Sequence, residues 1–214
     1  LYMQAIDEYL TRTESAVQRL FDGIDDYISI LRTSVGETFV TSEPYGPEQD
    51  AEYAAWKAKN AKRLLTAREA EQRYLAESFA LDTLCGSVLQ VAAKAIEIYG
   101  QSKPIPQVFE GIVQVKVSKF CVGQNVRTVP LGLIIYAARN QHTHFNDGKL
   151  REPSASVFKR LSTEHGYGGQ QQFSDPAFDV ANPRLVSLAS NVTGLIEWRS
   201  YESYIADMHV LLQT

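Results

Sequence analysis

The residues best equipped for chemistry stand together at Arg139-Asn140-Gln141-His142-Thr143-His144, in a chain with only four histidines among 214 residues. Histidine is the side chain suited to moving protons near neutral pH. Arginine stays charged and matches a phosphate with a planar fork of donors. Together, without an acidic cluster, they suit phosphodiester chemistry that needs neither metal nor cofactor. RNA brings its own nucleophile, the 2′-hydroxyl. One histidine can deprotonate it, another can protonate the departing 5′-oxygen, and an arginine can stabilise the charge at phosphorus.

These residues follow the apolar run Leu131 to Ala138, with Pro130 before it and Gly148 beyond, which is the punctuation of a helix. On a helix, Asn140 and His144 share one face and Arg139 and Thr143 another. Arg139 and His144 are separated by roughly 140° around the axis. Either the helix frays near His144, or the site draws on a second copy of the motif, as a two-fold dimer would supply. A purely structural account is that Arg139 pairs with Glu77 or Asp82 to tie helices together, and that the helix dipole favours His144 at a C-terminus. His142 and His144 as a metal pair would diverge by about 160° on a helix, and neither cysteine is near in sequence, so no metal is expected.

The run Ile134 to Ala138 followed by Arg139-Asn140-Gln141-His142-Thr143-His144 resembles the signature of the HEPN (higher eukaryotes and prokaryotes nucleotide-binding) superfamily. That signature is an arginine, usually followed by Asn, Asp or His, with a histidine after a gap of four to six residues. Here four residues intervene, Asn140 to Thr143. The resemblance covers residues 67–146. It implies an all-α bundle in which two long helices precede the motif helix. It also implies a metal-independent endoribonuclease, often a toxin or an effector of defence against phage, working as a homodimer on an RNA substrate, with an antitoxin or regulatory partner fitting such a role. By resemblance Arg139 and His144 are the catalytic pair, Asn140 orients them, and His142 and Thr143 flank the cleft. Some members keep the fold as nucleotide-binding or assembly modules. The alternative is therefore a non-catalytic helical dimer that binds a nucleotide or a partner protein.

The elements that must position the motif follow from periodicity. Residues 3–34 carry apolar residues at helical steps from Ile6 to Leu31, with Gly23 as a point of bending. Residues 36–50 read as a loop. Residues 48–64 read as a more polar helix, and Lys57, Lys59, Lys62, Arg63, Arg68 and Arg73 make this the most basic stretch. It is either a solvated face or, if the charges segregate, a surface for phosphates. Thr66-Ala67-Arg68-Glu69 matches a capping box, so a central core helix is expected from there to Tyr99, with Gly100 as its stop and Cys85 on its buried stripe. Residues 107–127 are expected to form a short helix and a loop through Gly123, and Thr128 to cap the motif helix at 130–146. A short helix follows at 153–164. The GYGG loop at 166–173 reads as a linker, since no strand precedes it and no Gly-Lys-Ser/Thr follows. Asp175-Pro176 and Asn182-Pro183 look like helix starts, and 185–212 is helical with a break near 194–199. His165 and His209 read as ordinary loop and helix residues. The expectation is an all-α bundle of about five to seven helices. It forms a single domain over 1–214, with 67–146 as its core and 1–64 either part of it or an accessory helical arm.

Composition sets the outer limits. Apolar residues are 44% and charged residues 21%, a balance that supports a real core and excludes wholesale disorder. A net charge of −4 argues against a sequence-independent polyphosphate binder. The two cysteines, Cys85 and Cys121, lie in apolar surroundings and do not suggest a disulfide framework. No uninterrupted apolar run approaches about 18 residues and no leader pattern is legible, so the expectation is a cytoplasmic chain with no membrane partner.

Overall fold

The computed structural model describes residues 2–34, 36–147, 149–163, 174–183 and 185–213. Gly148, His165 and the 166–173 linker lie outside them. The described residues form seven α-helices: α1 (Tyr2–Thr33), α2 (Pro47–Lys59), α3 (Ala61–Tyr99), α4 (Leu131–Thr143), α5 (Ser154–Thr163), α6 (Ala189–Leu195) and α7 (Tyr201–Gln213). Two short 3-10 segments, Gln107–Phe109 and Val115–Phe120, and a two-residue hairpin of β1 (Asn125–Val126) and β2 (Val129–Pro130) join α3 to α4. The fold is all-α, as the periodicity predicts.

The chain divides into two compact units, with the divisions falling inside the long helices. One unit comprises Leu1–Gly23 and Phe79–Thr214, the other Ile24–Ser78. In the first unit α4 is buried on nearly every side. Leu131, Leu133, Ile134, Ile135, Ala137 and Ala138 are at most 2% exposed, the burial of a helix that is apolar all round. Gly132 permits this. A Cβ there would stand 2.5 Å from the carbonyl oxygen of Phe120, so only glycine lets the 3-10 segment lie against the helix. The stripe of α3, from Leu81 through Cys85, Val88 and Ala92 to Ile96, is also buried. α1 packs there through the Tyr9 hydroxyl, which donates to the Val91 carbonyl at 3.0 Å, and Phe21 meets Tyr204 of α7. α3 contains an 18-residue stretch apolar enough to cross a membrane, and half of that stretch is buried inside the structure.

Several predicted boundaries move, each for a local reason. α3 begins at Ala61, not at the Thr66 capping box. α2 ends at Lys59 with Asn60 as its C-cap, whose side chain donates to the Trp56 carbonyl, and the Ala- and Leu-rich sequence that follows propagates helix through Thr66. Residues 107–127 make 3-10 turns rather than an α-helix. Thr128 does not cap α4. It occupies the hairpin turn with Arg127, both at positive φ (+68° and +48°), and Pro130 precedes the helix with no side-chain cap. Arg127 holds that turn in place. Its guanidinium donates to the Leu161 carbonyl at 2.6 Å and to Asp175 Oδ2 at 2.8 Å, and lies 5.0 Å from the Phe178 ring centre. Neither Asp175 nor Asn182 starts a helix among the described residues. Asp175 and Asp179 each accept the backbone N–H two residues on, from Ala177 and Ala181, closing turns that compete with helix initiation.

In the second unit α2 contributes no buried residue. Pro47 opens it, with Glu48 and Asp50 in the first turn, where the dipole favours them. Phe39, Tyr53 and Trp56 cluster with ring centres 5.2–5.8 Å apart. Among the basic residues of this stretch Arg63 pairs with Glu37 and Arg73 with Glu77, while Lys57, Lys59, Lys62 and Arg68 are exposed.

Candidate functional site

α4 emerges from the core at its C-terminal end, and there its residues become polar. Tyr136, Asn140 and His144, spaced four apart, line one wall of a cleft of about 430 Å³. The rest of the lining comes from the Gln114–Val117 stretch, from the link between α4 and α5, including Asp147, Lys149, Arg151 and Glu152, and from Ser154 at the start of α5. His144 is the C-cap of α4, its backbone N–H bonded to the Asn140 carbonyl at 3.0 Å. Its side chain is 58% exposed, and its Nδ1 stands 3.1 Å from Oδ2 of Asp147. Asn140 donates from Nδ2 to the Ser154 hydroxyl at 3.3 Å, which ties the motif to the first residue of α5. His144 and Lys149 also line a second depression of about 440 Å³ beside Phe145, Leu150 and Val180.

Arg139 is not in the cleft lining. Its guanidinium carbon lies 5.6 Å from the ring centre of Tyr136, which is, and its Nε is buried without a hydrogen-bond partner. Neither carboxylate proposed to tie it down does so among the described residues: Glu77 binds Arg73 and Asp82 accepts the Ser190 backbone N–H at 3.0 Å. The single helix therefore brings Asn140 and His144 to one cleft and leaves Arg139 one position round, as the roughly 140° separation requires.

His142 and Thr143 do not line this cleft either. Thr143 turns its hydroxyl back onto the Arg139 carbonyl at 2.8 Å. His142 packs against α3. Its Nδ1 is 3.0 Å from the buried Ser187 hydroxyl, and its ring fills the space where a Cβ on Gly86 would be, with Cδ2 only 2.2 Å from that position. Burial holds the imidazole below its ordinary pKa, partly opposed by the Asp82 carboxylate. Burial likewise raises the Asp82 carboxyl, with the Ser190 contacts working against it. Gln141 braces the same segment, donating to the Val186 carbonyl and accepting from the Leu188 N–H. Residues 141 and 142 fix the end of α4, and the faces bearing 140 and 144 meet the cleft. Among the described residues no three of His, Cys, Asp and Glu gather as a metal site. Cys85 is 1% exposed, and burial pushes its thiol up to about 11.

The charge on the cleft is uneven. Its carboxylates are engaged, Asp147 with His144 and Glu152 with the Ser156 backbone N–H at 3.1 Å. Its cations Lys116, Lys149 and Arg151 are exposed and form no ion pair among the described residues. Sequence reasoning missed these three because they come from separated segments. The one available signal was the two-residue spacing of Lys149 and Arg151, which points both the same way on extended chain. No protein-family model, curated protein or solved structure matches the chain.

Proposed function

We propose that this chain is a metal-independent endoribonuclease of HEPN type, acting as a homodimer in the cytoplasm on RNA, in the role of a toxin or phage-defence effector under an antitoxin or other regulatory partner. The observation that carries the chemistry is that Asn140 and His144 line one cleft together with three exposed cations, Lys116, Lys149 and Arg151, against two carboxylates, Asp147 and Glu152. With Nδ1–H given to Asp147, His144 keeps the Nε2 lone pair for the 2′-hydroxyl proton. The 2′-oxygen then bonds to phosphorus as the P–O5′ bond breaks, and the departing O5′ takes a proton from the second histidine of the dimer. The products are a 2′,3′-cyclic phosphate and a 5′-hydroxyl. Asn140 positions the catalytic pair. Arg139 stabilises the charge at phosphorus, reaching the cleft by extension round Tyr136 or from the partner copy.

The test is RNA cleavage in EDTA by the purified chain beside Arg139→Ala and His144→Ala, all three shown to be folded. Cleavage by the parent that both substitutions abolish, with cyclic-phosphate ends, is the expected result. Equal activity in all three, or an absolute need for a divalent metal, defeats the reading. The non-catalytic alternative, a helical dimer that binds a nucleotide or partner protein, draws its support from α2, which buries nothing while Tyr45 and Tyr53 stand 94% and 45% exposed in the same unit. No cleavage by any of the three proteins would favour it.

A further inference from the structure

We infer that Lys116, Lys149 and Arg151 are the backbone-gripping residues of this cleft, holding the phosphates that flank the one at His144 on a single-stranded RNA. The inference rests on reading the cleft as an RNA site, and adds which strand form it takes and what retains it. Three observations carry it. First, the chain as a whole is acidic, at −4, so its overall field repels a polyanion and retention needs a local patch. Second, the cleft provides that patch from two separate segments: Lys116 from the 3-10 turn before the hairpin, Lys149 and Arg151 from the α4–α5 link. Third, both carboxylates in the lining are already occupied, Asp147 by the catalytic imidazole and Glu152 by the start of α5. The three cations are thus left to an external anion. Asn140 is held by Ser154 and Arg139 is outside the lining, so neither can supply the flanking contacts within one protomer.

The anion is a polynucleotide backbone rather than a lone phosphate, because the cations come from two separate chain segments along a cleft of about 430 Å³. A single strand fits the chemistry better than a duplex. In-line attack by the 2′-oxygen requires a nucleotide free to leave A-form geometry, and recognition of splayed strands is how proteins generally reach RNA reactive groups. Contacts of this kind position the strand and carry no sequence information. The three residues are therefore positioning groups that act on substrate affinity.

The experiment uses the full parent chain and a fluorescent 2′-O-methyl oligoribonucleotide, which has no free 2′-hydroxyl and is not cut. Anisotropy is measured across salt. For single strands each phosphate contact contributes a slope of roughly −0.7 in log K against log salt, so three contacts give a slope of about −2. Lys116→Gln, Lys149→Gln and Arg151→Gln should each remove about 0.7 from the slope, equally for oligonucleotides of different sequence, and the triple variant should lose about 2 of it. With cleavable RNA the triple variant should raise KM and leave kcat nearly unchanged. All three side chains are exposed, so folding, checked by circular dichroism, should persist. A triple variant that keeps the parental slope puts the phosphates elsewhere, on the exposed lysines of residues 57–62 for example, and overturns the inference; so does failure of the parent to bind. The two readings fail separately. Salt-sensitive binding that needs the three cations, without any cleavage, would sink the nuclease reading alone. His144-dependent cleavage that ignores the triple substitution would sink this inference alone.

Discussion

Gly86→Ala should unsettle the end of α4 although Gly86 lies in the middle of a different helix. A Cβ at that position would stand 2.2 Å, 2.3 Å and 2.6 Å from Cδ2, Nε2 and Cγ of His142, inside any tolerable contact. The cheapest relief is for the imidazole to rotate away. That forfeits the 3.0 Å contact with the Ser187 hydroxyl and leaves a buried hydroxyl short of a partner, at about 1–3 kcal/mol. A strained rotamer adds roughly 0.5–1.5 kcal/mol. Against this, alanine in a helix interior gains about 1 kcal/mol over glycine. The net is a loss of about 2 kcal/mol, or roughly 4–8 °C in Tm for a chain of this size. Calorimetry on the single variant and on Gly86→Ala/His142→Ala measures it. Removing the imidazole should relieve the clash, so the double variant should be more stable than the sum of the singles predicts. A neutral or stabilised Gly86→Ala, with no coupling to position 142, would refute the packing of His142 on α3 and return that histidine to the list of cleft residues.

Two further outcomes follow from the same structure. Arg127→Ala should cost about 3 kcal/mol, because it strands the carboxylate of Asp175, only 15% exposed, without its partner; thermal unfolding reads the loss, and a change within error would mean that the hairpin turn is held by other contacts. Stability should also fall as pH drops from 7.5 towards 5.5. The folded pKa of His142 is lowered from 6.5, so between the two values the unfolded chain binds the proton and the folded chain does not. Asp82, raised from 3.8, acts with the opposite sign. The comparison with His142→Asn, which should flatten the decline, isolates the histidine, and an identical decline in both proteins would assign it to other groups.

The motif helix was legible because its signal is redundant. A continuous apolar run, a proline before it and polar residues at its end all point to one element, and four-residue spacing puts Asn140 and His144 together whatever surrounds them. The separation of Arg139 from that face was legible for the same reason. What sequence did not disclose depends on competition between partners. Thr128 has a capping residue's chemistry, but Arg127 finds Asp175 forty-eight positions away and draws the pair into a turn. Asp175 precedes a proline as an N-cap would, yet its carboxylate serves Ala177 and Arg127 at once. His142 resembles its neighbour His144 in sequence, and only the missing Cβ of Gly86 reveals that it belongs to the packing. The cleft cations carry no local pattern at all, since their meaning comes from chain segments folding towards one another.

The opposite duties of neighbouring residues on the last turn of α4 have a practical consequence. Gln141 and His142 anchor the turn to residues 186–188 and Asn140 ties it to Ser154, so the helix end keeps its place without help from the exposed side chain of His144. That cleft-facing position is therefore open to rewriting. His144 could be exchanged for a lysine, a glutamate or a metal-binding group with little disturbance to the scaffold that presents it. The turn behaves as a socket, in which new reactivity can be installed and compared at constant stability.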